Sequence, residues 1–204
     1  MPTGPTRVDR REFIKTGTLA AGAVAFGVPR LVRAQNLNSK LNIGCVGFMG
    51  GASGLGLGLA LAQPERKVLV LDGDGALLLN LSSLPTLGWQ RPPNLIHCVF
   101  VNGVYEASGG GRNANSANAD LVAIAKGAGV PHAVWVDSVE DFRREVAAAF
   151  ARNELSFVAA RVEPGVQPGL KGIDVQAVEN KFLLARHIER TEGIQVLAPA
   201  YPQR

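Results

Sequence analysis

A chain of 204 residues has room for one ordinary domain and its tails, and 47% hydrophobic residues with 24 glycines suffice for an α/β core. The net charge of +4 sits entirely in residues 1–34, which hold six Lys/Arg against two Asp/Glu, whereas residues 35–204 hold fifteen of each. That distribution leaves no basic stripe with interleaved aromatics, so it argues against a nucleic-acid partner, and the mature chain has no apolar run of the roughly eighteen residues a membrane span needs.

The start of the chain reads as a leader. Asp9-Arg10-Arg11-Glu12-Phe13-Ile14-Lys15 matches the twin-arginine export pattern, a Gly/Ala-rich apolar run follows over residues 16–28, and Val32-Arg33-Ala34 offers a small-residue cleavage site. The expected divisions are a leader over 1–34, a folded domain over 35–165, and a linker with a helix over 166–204. A working leader would make the protein exported or periplasmic; otherwise it is cytoplasmic.

Residues 40–47 form a short strand candidate that runs into the turn Gly47-Phe48-Met49-Gly50. Residues 51–63 read as a helix despite four glycines, each costing ~0.5–1 kcal/mol against alanine, so close packing should compensate. Residues 68–71 are a buried strand ending in Asp72-Gly73-Asp74-Gly75. Residues 76–90 follow helical spacing through Leu77, Leu78, Leu81 and Leu84, with Pro85 expected to kink or stop the helix. Residues 95–101 form a second apolar strand ending in Asn102-Gly103. Strand, helix, strand makes a βαβ unit with parallel strands, so both turns should emerge at the carboxyl edge of one sheet.

Beyond Asn102, residues 105–113 read as a flexible loop at that edge, with Tyr105 and Glu106 as weaker candidates for a role there. A short amphipathic helix is expected over 120–128 and a strand over 132–136 with Trp135 in the core. A capped helix follows over 138–153, with Ser138 as cap and Phe142, Val146 and Phe150 on one face. A last strand over 156–162, a Pro/Gly linker and a helix over 174–191 complete the chain. The helix should pack on the core or on a partner chain. Cys45 and Cys98 form no metal or redox spacing and read as buried free thiols.

At the two strand ends the chemistry is narrow. Asp74 offers one carboxylate between Gly73 and Gly75, and Asn102 offers an amide oxygen. A carbonyl from the next turn would add a third hard ligand. Such a set is poor for Ca²⁺ but suits Mg²⁺, which keeps water and substrate phosphates in its octahedron. The backbone N–H groups where the helix starts at Ala76 would face those phosphates. Two ordinary glycine turns would explain the same spacing.

Gly73-Asp74-Gly75, twenty-six residues and then Asn102 resemble the fingerprint of the thiamine-diphosphate-dependent decarboxylase and acetolactate-synthase superfamily. The resemblance implies an α/β fold, a doubly wound parallel sheet with helices on both faces, with the first strand-helix unit replaced or missing. It also implies thiamine diphosphate and Mg²⁺ as cofactors, with the metal on Asp74, Asn102 and the Val104 carbonyl. Val101 departs from the Asn or Asp often found before the metal asparagine, and removes no ligand. Upstream, Gly47-Phe48-Met49-Gly50 is similar to the family's G-x-[MI]-G turn. Its Gly47 carbonyl would accept from the aminopyrimidine, and Met49 would wedge the cofactor into its bent shape. Gly73, Gly75, Ala76 and Tyr105 complete the expected cofactor contacts.

The likeness extends to sulfopyruvate and phosphonopyruvate decarboxylases and to short single-domain relatives, over roughly residues 47–191. In that family a glutamate on a separate pyrimidine-binding domain activates the cofactor, and nothing here resembles that domain. The expected function is therefore a decarboxylase subunit for a small 2-oxoacid, with no catalytic residue of its own. It would be completed by a pyrimidine-domain (α-type) subunit or within a homo-oligomer. Two alternatives stand beside it. The leader with residues 43–47 resembles the opening of Gfo/Idh/MocA-type NAD(P) oxidoreductases, although the G-x-G-x-x-G spacing is broken. The other alternative is a non-catalytic module that keeps the fold.

Overall fold

The computed structural model describes residues 49–165 and 177–197, together with the backbone of residues 43–46. The leader, Gly47, Phe48, the Cys45 side chain, the proposed linker and any unit before residue 43 lie outside the described residues. The chain divides into two compact units, Met1–Val166 and Gln167–Arg204.

In the first unit the order is β1 (Ile43–Val46), α1 (Ala52–Ala62), β2 (Val68–Gly73), α2 (Asp74–Leu78), α3 (Ser83–Gln90) and β3 (Leu95–Val101). A two-residue hairpin pair, β4 (Val104–Tyr105) and β5 (Gly111–Arg112), comes next. Then follow α4 (Leu121–Gly127), β6 (His132–Val136), α5 (Val139–Ala151) and β7 (Ser156–Arg161). The five long strands form one parallel sheet in the order β1-β2-β3-β7-β6.

This order explains where the helices lie. From β1 through β3 and on to β6 the chain advances across the sheet in one direction, so right-handed crossovers place α1, α2, α3 and α4 on one face. The return from β6 to β7 reverses direction and places α5 on the other. The buried side chains divide accordingly. Ala52, Ala60, Leu84, Leu87, Leu121 and Ala125 pack with Val68, Val70, Leu95, Val99 and Phe157. On the opposite face, Val139, Phe142, Val146 and Ala149 pack with Ile96, Cys98, Val158 and Ala160. Strand residues alternate between the two clusters, as a sheet covered on both faces requires.

Local sequence sets most boundaries. The Ser138 hydroxyl accepts from the Asp141 N–H at 3.0 Å and caps α5. Asp120 caps α4 through the N–H groups of Val122 and Ala123. The Ala123 N–H bond chiefly holds the Asp120 carboxyl below its ordinary pKa, with help from Trp135 and Val122 and against desolvation. Asn94 closes the far end of α1: its amide donates to the carbonyls of Ala60, Gln63 and Arg66 at 2.8–3.0 Å. In α1, Gly56 is the glycine that close packing requires, since a Cβ there would lie 2.2 Å from a Val70 methyl. At Gly54 and Gly58 a Cβ would meet nothing within 4 Å among the described residues.

Four expectations are corrected. The helix expected over 76–90 is two helices, because the chain turns at Leu79–Ser82 between α2 and α3. Pro85 falls in the first turn of α3, where its missing N–H costs nothing, so it starts a helix rather than ending one. The segment 105–113 is not a plain flexible loop: β4, the single turn Glu106–Ser108 and β5 give it a hydrogen-bonded hairpin. Trp135 is only half-buried on edge strand β6; its Nε1 donates to Asp120 at 2.9 Å and the Arg161 guanidinium lies 3.9 Å over the ring. The indole N–H and a charged neighbour keep that ring at the rim.

Cys98 is a buried free thiol, and burial pushes its pKa up to about 12. At pH 8 it therefore carries almost no thiolate and is inert. Peptide mapping after treatment with a thiol-alkylating reagent should find Cys98 unmodified in the native chain and labelled only after denaturation.

The second unit supplies α6 (Ala177–Glu192). Ala185 and Ile188 are buried, whereas Val178, Phe182 and Leu183 are exposed. Glu189 accepts from the N–H groups of Leu197 and Val196, which hold its carboxyl below the usual range and fold the following segment back on the helix.

Candidate cofactor and metal site

The parallel register places Gly73 beside Phe100, so β2 and β3 deliver Asp74 and Asn102 to the same sheet edge. Among the described residues no cluster of three or more His, Cys, Asp or Glu could hold a metal. Any cation here would rest on one carboxylate and neutral oxygens.

Asp74 is buried and held on both oxygens. Oδ1 accepts from the Gly75 N–H at 2.8 Å. Oδ2 accepts from the Gly103 N–H at 2.9 Å, Asn113 Nδ2 at 3.0 Å and Asn115 Nδ2 at 3.2 Å. The Gly103 bond is the decisive one, since it locks the tip of β2 to the turn that carries Asn102. With three donors on Oδ2 and one on Oδ1, the free lone pair lies on Oδ1.

Asn102 has its own fixed orientation. Its Oδ1 accepts from the Val104 N–H at 3.0 Å, and its Nδ2 donates to Glu106 Oε2 at 2.9 Å. Gly75 closes the gap between the tips. A Cβ there would stand 2.8 Å from the Tyr105 ring and 3.5 Å from the Val104 carbonyl oxygen. Asp74, Gly75, Asn102, Val104 and Tyr105 are thus brought together.

The turn at Met49–Gly50 is tied to the turn after α2 through a residue that sequence reasoning missed. Asn80 Nδ2 donates to the Gly50 carbonyl at 3.1 Å. Gly50 has φ +85, and a Cβ on it would meet Asn80 Cβ at 2.6 Å and the Ala76 carbonyl oxygen at 3.2 Å, so this turn, α2 and the turn after it are mutually fixed. Met49 has φ 41 and a side chain 82% exposed. A positive φ is uncommon for a residue other than glycine. Ala76 enters through its carbonyl, and Gly73 as the last residue of β2. Gly47 lies outside the described residues.

Asn113 and Asn115 were missed too. In sequence, Asn113-Ala114-Asn115-Ser116 reads as a polar turn, and only the fold shows both amides converging on Asp74. Asn115 Oδ1 is buried with no hydrogen-bond partner, which leaves it able to accept. Behind the turn, His97 and Asp72 are both buried, 3.5 Å apart, with Asp72 Oδ2 and both ring nitrogens lacking hydrogen bonds. The helix expected to start at Ala76 starts at Asp74 and spans five residues, and the Gly75 N–H is taken by Asp74.

The donor set suits a Mg²⁺-bridged diphosphate by its chemistry. One carboxylate with a free lone pair, one amide oxygen and one carbonyl stand at the end of β2 and in the turn after β3, which the Asp74–Gly103 hydrogen bond ties together. Hard oxygen ligands in small number are what Mg²⁺ takes from protein.

The family model "Thiamine pyrophosphate enzyme, C-terminal TPP binding domain" matches residues 20–160. The chain belongs to that family. The match begins inside the segment read as a leader and takes in residues 43–47, on which the dinucleotide alternative rested. The chain is 35% identical over 165 residues to sulfopyruvate decarboxylase subunit beta of Methanocaldococcus jannaschii, covering 81% of this chain and 86% of that one. It is 42% identical over 125 residues to phosphonopyruvate decarboxylase of Streptomyces viridochromogenes, but spans only 31% of that protein. Among solved structures, the thiamine diphosphate-dependent 4-hydroxybenzoylformate decarboxylase of Rhodococcus jostii RHA1 superposes with a TM-score of 0.51 at 25% identity. The superposition covers 57% of this chain and 24% of that one. Benzoylformate decarboxylase from Polynucleobacter necessarius, at 21% identity and a TM-score of 0.50, shares the fold over 59% of this chain and 25% of its own.

Proposed function

We propose that the chain is the thiamine-diphosphate-binding subunit of a 2-oxoacid decarboxylase. Mg²⁺ would be held by Asp74, Asn102 and the Val104 carbonyl and would bridge to the diphosphate. The observation that carries this reading is the Gly103–Asp74 hydrogen bond, which brings the two motif halves to one point. Thiamine diphosphate, when bound, supplies the carbanion chemistry of decarboxylation; the protein's part is position and electrostatics. Met49 and the Gly47 carbonyl would shape the pyrimidine end, and Tyr105, stacked against Gly75, would close the diphosphate end. The names of the two curated relatives favour a small 2-oxoacid with a second anionic group, of the sulfopyruvate or phosphonopyruvate type.

In this reading the activating glutamate comes from another polypeptide. The "subunit beta" relative of similar length supports that arrangement. So does α1, whose Gly54, Leu55, Gly58 and Leu61 form an exposed apolar face next to the Met49 turn. A pyrimidine-domain subunit would sit there; assembly of the chain with itself is the alternative. The Arg10-Arg11 leader would export the folded protein.

Carbon dioxide release from sulfopyruvate and phosphonopyruvate should require the chain, thiamine diphosphate, Mg²⁺ and a partner that carries the glutamate. A manometric or coupled assay of the reconstituted mixture checks this. Full turnover by the isolated chain would refute the split site, and no turnover with any candidate partner would favour the non-catalytic module.

A further inference from the structure

Asn102 can serve a cation only if its oxygen, and not its NH₂, faces the gap beside Asp74. What sets that orientation is Glu106. Its Oε2 accepts from Asn102 Nδ2 at 2.9 Å, while the Asn102 oxygen accepts from the Val104 N–H at 3.0 Å. A carboxylate only accepts, and a backbone N–H only donates. The reversed amide would set oxygen against the Glu106 carboxylate and NH₂ against the Val104 N–H, so one orientation alone satisfies both neighbours.

Glu106 is itself anchored at two points. The single turn Glu106–Ser108 follows directly on β4, and Oε1 accepts from the Gly165 N–H at 2.7 Å. The carboxylate therefore ties the strand tip bearing Asn102 to the segment leaving the last strand. Its negative charge also polarises the Asn102 amide, enriching the oxygen that would meet the cation.

We propose that Glu106 is a positioning residue: it holds the Asn102 amide with its oxygen toward the cation and thereby sets Mg²⁺ affinity without touching the metal. The inference rests on the reading of Asn102 as a ligand. Outer hydrogen-bonding partners of metal ligands typically contribute ~10–100-fold in affinity. Glu106→Ala should weaken Mg²⁺ in the presence of saturating thiamine diphosphate by about tenfold or more. Glu106→Gln, with one oxygen for two N–H donors, should fall between Ala and wild type.

Calorimetric Mg²⁺ titration of the full chain and both variants gives the affinities. Hydrogen exchange of the Asn102 side-chain NH₂, followed by NMR in cofactor-free protein, reads the contact without any metal. Slow exchange in wild type that becomes fast in Glu106→Ala, together with the graded affinities, is the expected result. A wild type that binds thiamine diphosphate in an Mg²⁺-dependent way, with variants of unchanged affinity, would overturn this inference and leave the proposed function standing. A wild type that ignores Mg²⁺ and thiamine diphosphate would bring down both. Should Glu106→Ala not fold, Glu106→Gln decides alone: wild-type affinity overturns the inference and a measurable loss supports it.

Discussion

Asp74→Asn should abolish Mg²⁺-dependent binding of thiamine diphosphate, with a fall in affinity on the order of a hundredfold or more. The expected loss exceeds the ~10–100-fold typical of an outer-sphere partner, because a ligand and its charge are both removed. The substitution is nearly isosteric, so the effect is electrostatic. Four N–H groups point at this carboxylate, three on Oδ2 and one on Oδ1. An amide has only one oxygen, so its NH₂ must face at least one of them. If the NH₂ takes the Oδ2 side, it opposes the Gly103 N–H and both asparagine amides; if it takes the Oδ1 side, the lone pair meant for the cation is gone. Each buried donor left without an acceptor costs ~1–3 kcal/mol, so the variant should also melt at a lower temperature. Calorimetry with thiamine diphosphate at graded Mg²⁺ measures the first effect, and thermal unfolding of the cofactor-free chain the second. Unchanged Mg²⁺ dependence would remove Asp74 from the metal.

Gly88→Ala should destabilise the domain by about 3 kcal/mol or more, at the upper end of what overpacking costs. Helix propensity predicts the opposite sign, since alanine exceeds glycine by ~1 kcal/mol in a helix interior. Packing wins because a Cβ at residue 88 would lie 1.9 Å from the Ala128 carbonyl oxygen and 2.8 Å from its carbon. Those are backbone atoms between α4 and Val130, and they cannot step aside without moving buried Val130 and the start of β6. At ~2–4 °C per kcal/mol for a chain of this size, the melting temperature should drop by roughly 10 °C. Gly54→Ala is the matching control: nothing lies within 4 Å of its Cβ position, so propensity acts alone and the isolated chain should gain ~0.5–1 kcal/mol. Scanning calorimetry of the two variants compares them; a Gly88→Ala chain as stable as wild type would contradict the packing of α3 against that turn.

The central βαβ unit was legible because its strands are apolar runs followed by Asp-Gly and Asn-Gly, although β2 runs on through Asp72 to Gly73. The cap and face of α5 were equally plain, since Ser138, Asp141 and the Phe142/Val146 spacing all indicate the same helix. The break between α2 and α3 was hidden because Leu77, Leu78, Leu81 and Leu84 satisfy one helix or two, and Pro85 marks a start as well as a stop. The hairpin of β4 and β5 has two residues per strand, too few to show a period. The place of β7 between β3 and β6 is a spatial fact that chain order does not contain. At the site, Asp74 and Asn102 stood out by type and spacing. Their supporting partners did not: Asn80, Asn113 and Asn115 are asparagines in turns, where local backbone preferences alone explain them. Glu106 entered only as a weak candidate, since its bond to Asn102 depends on how the hairpin folds back.

The most direct test is a crystal of the chain grown with thiamine diphosphate and Mn²⁺ in place of Mg²⁺, with the metal located by anomalous scattering. The predicted result is one peak at coordination distance, roughly 2.0–2.3 Å, from Asp74 Oδ1, Asn102 Oδ1 and the Val104 carbonyl oxygen, with the diphosphate on its open side. A cofactor-bound crystal whose metal lies away from Asp74 and Asn102 would contradict the account.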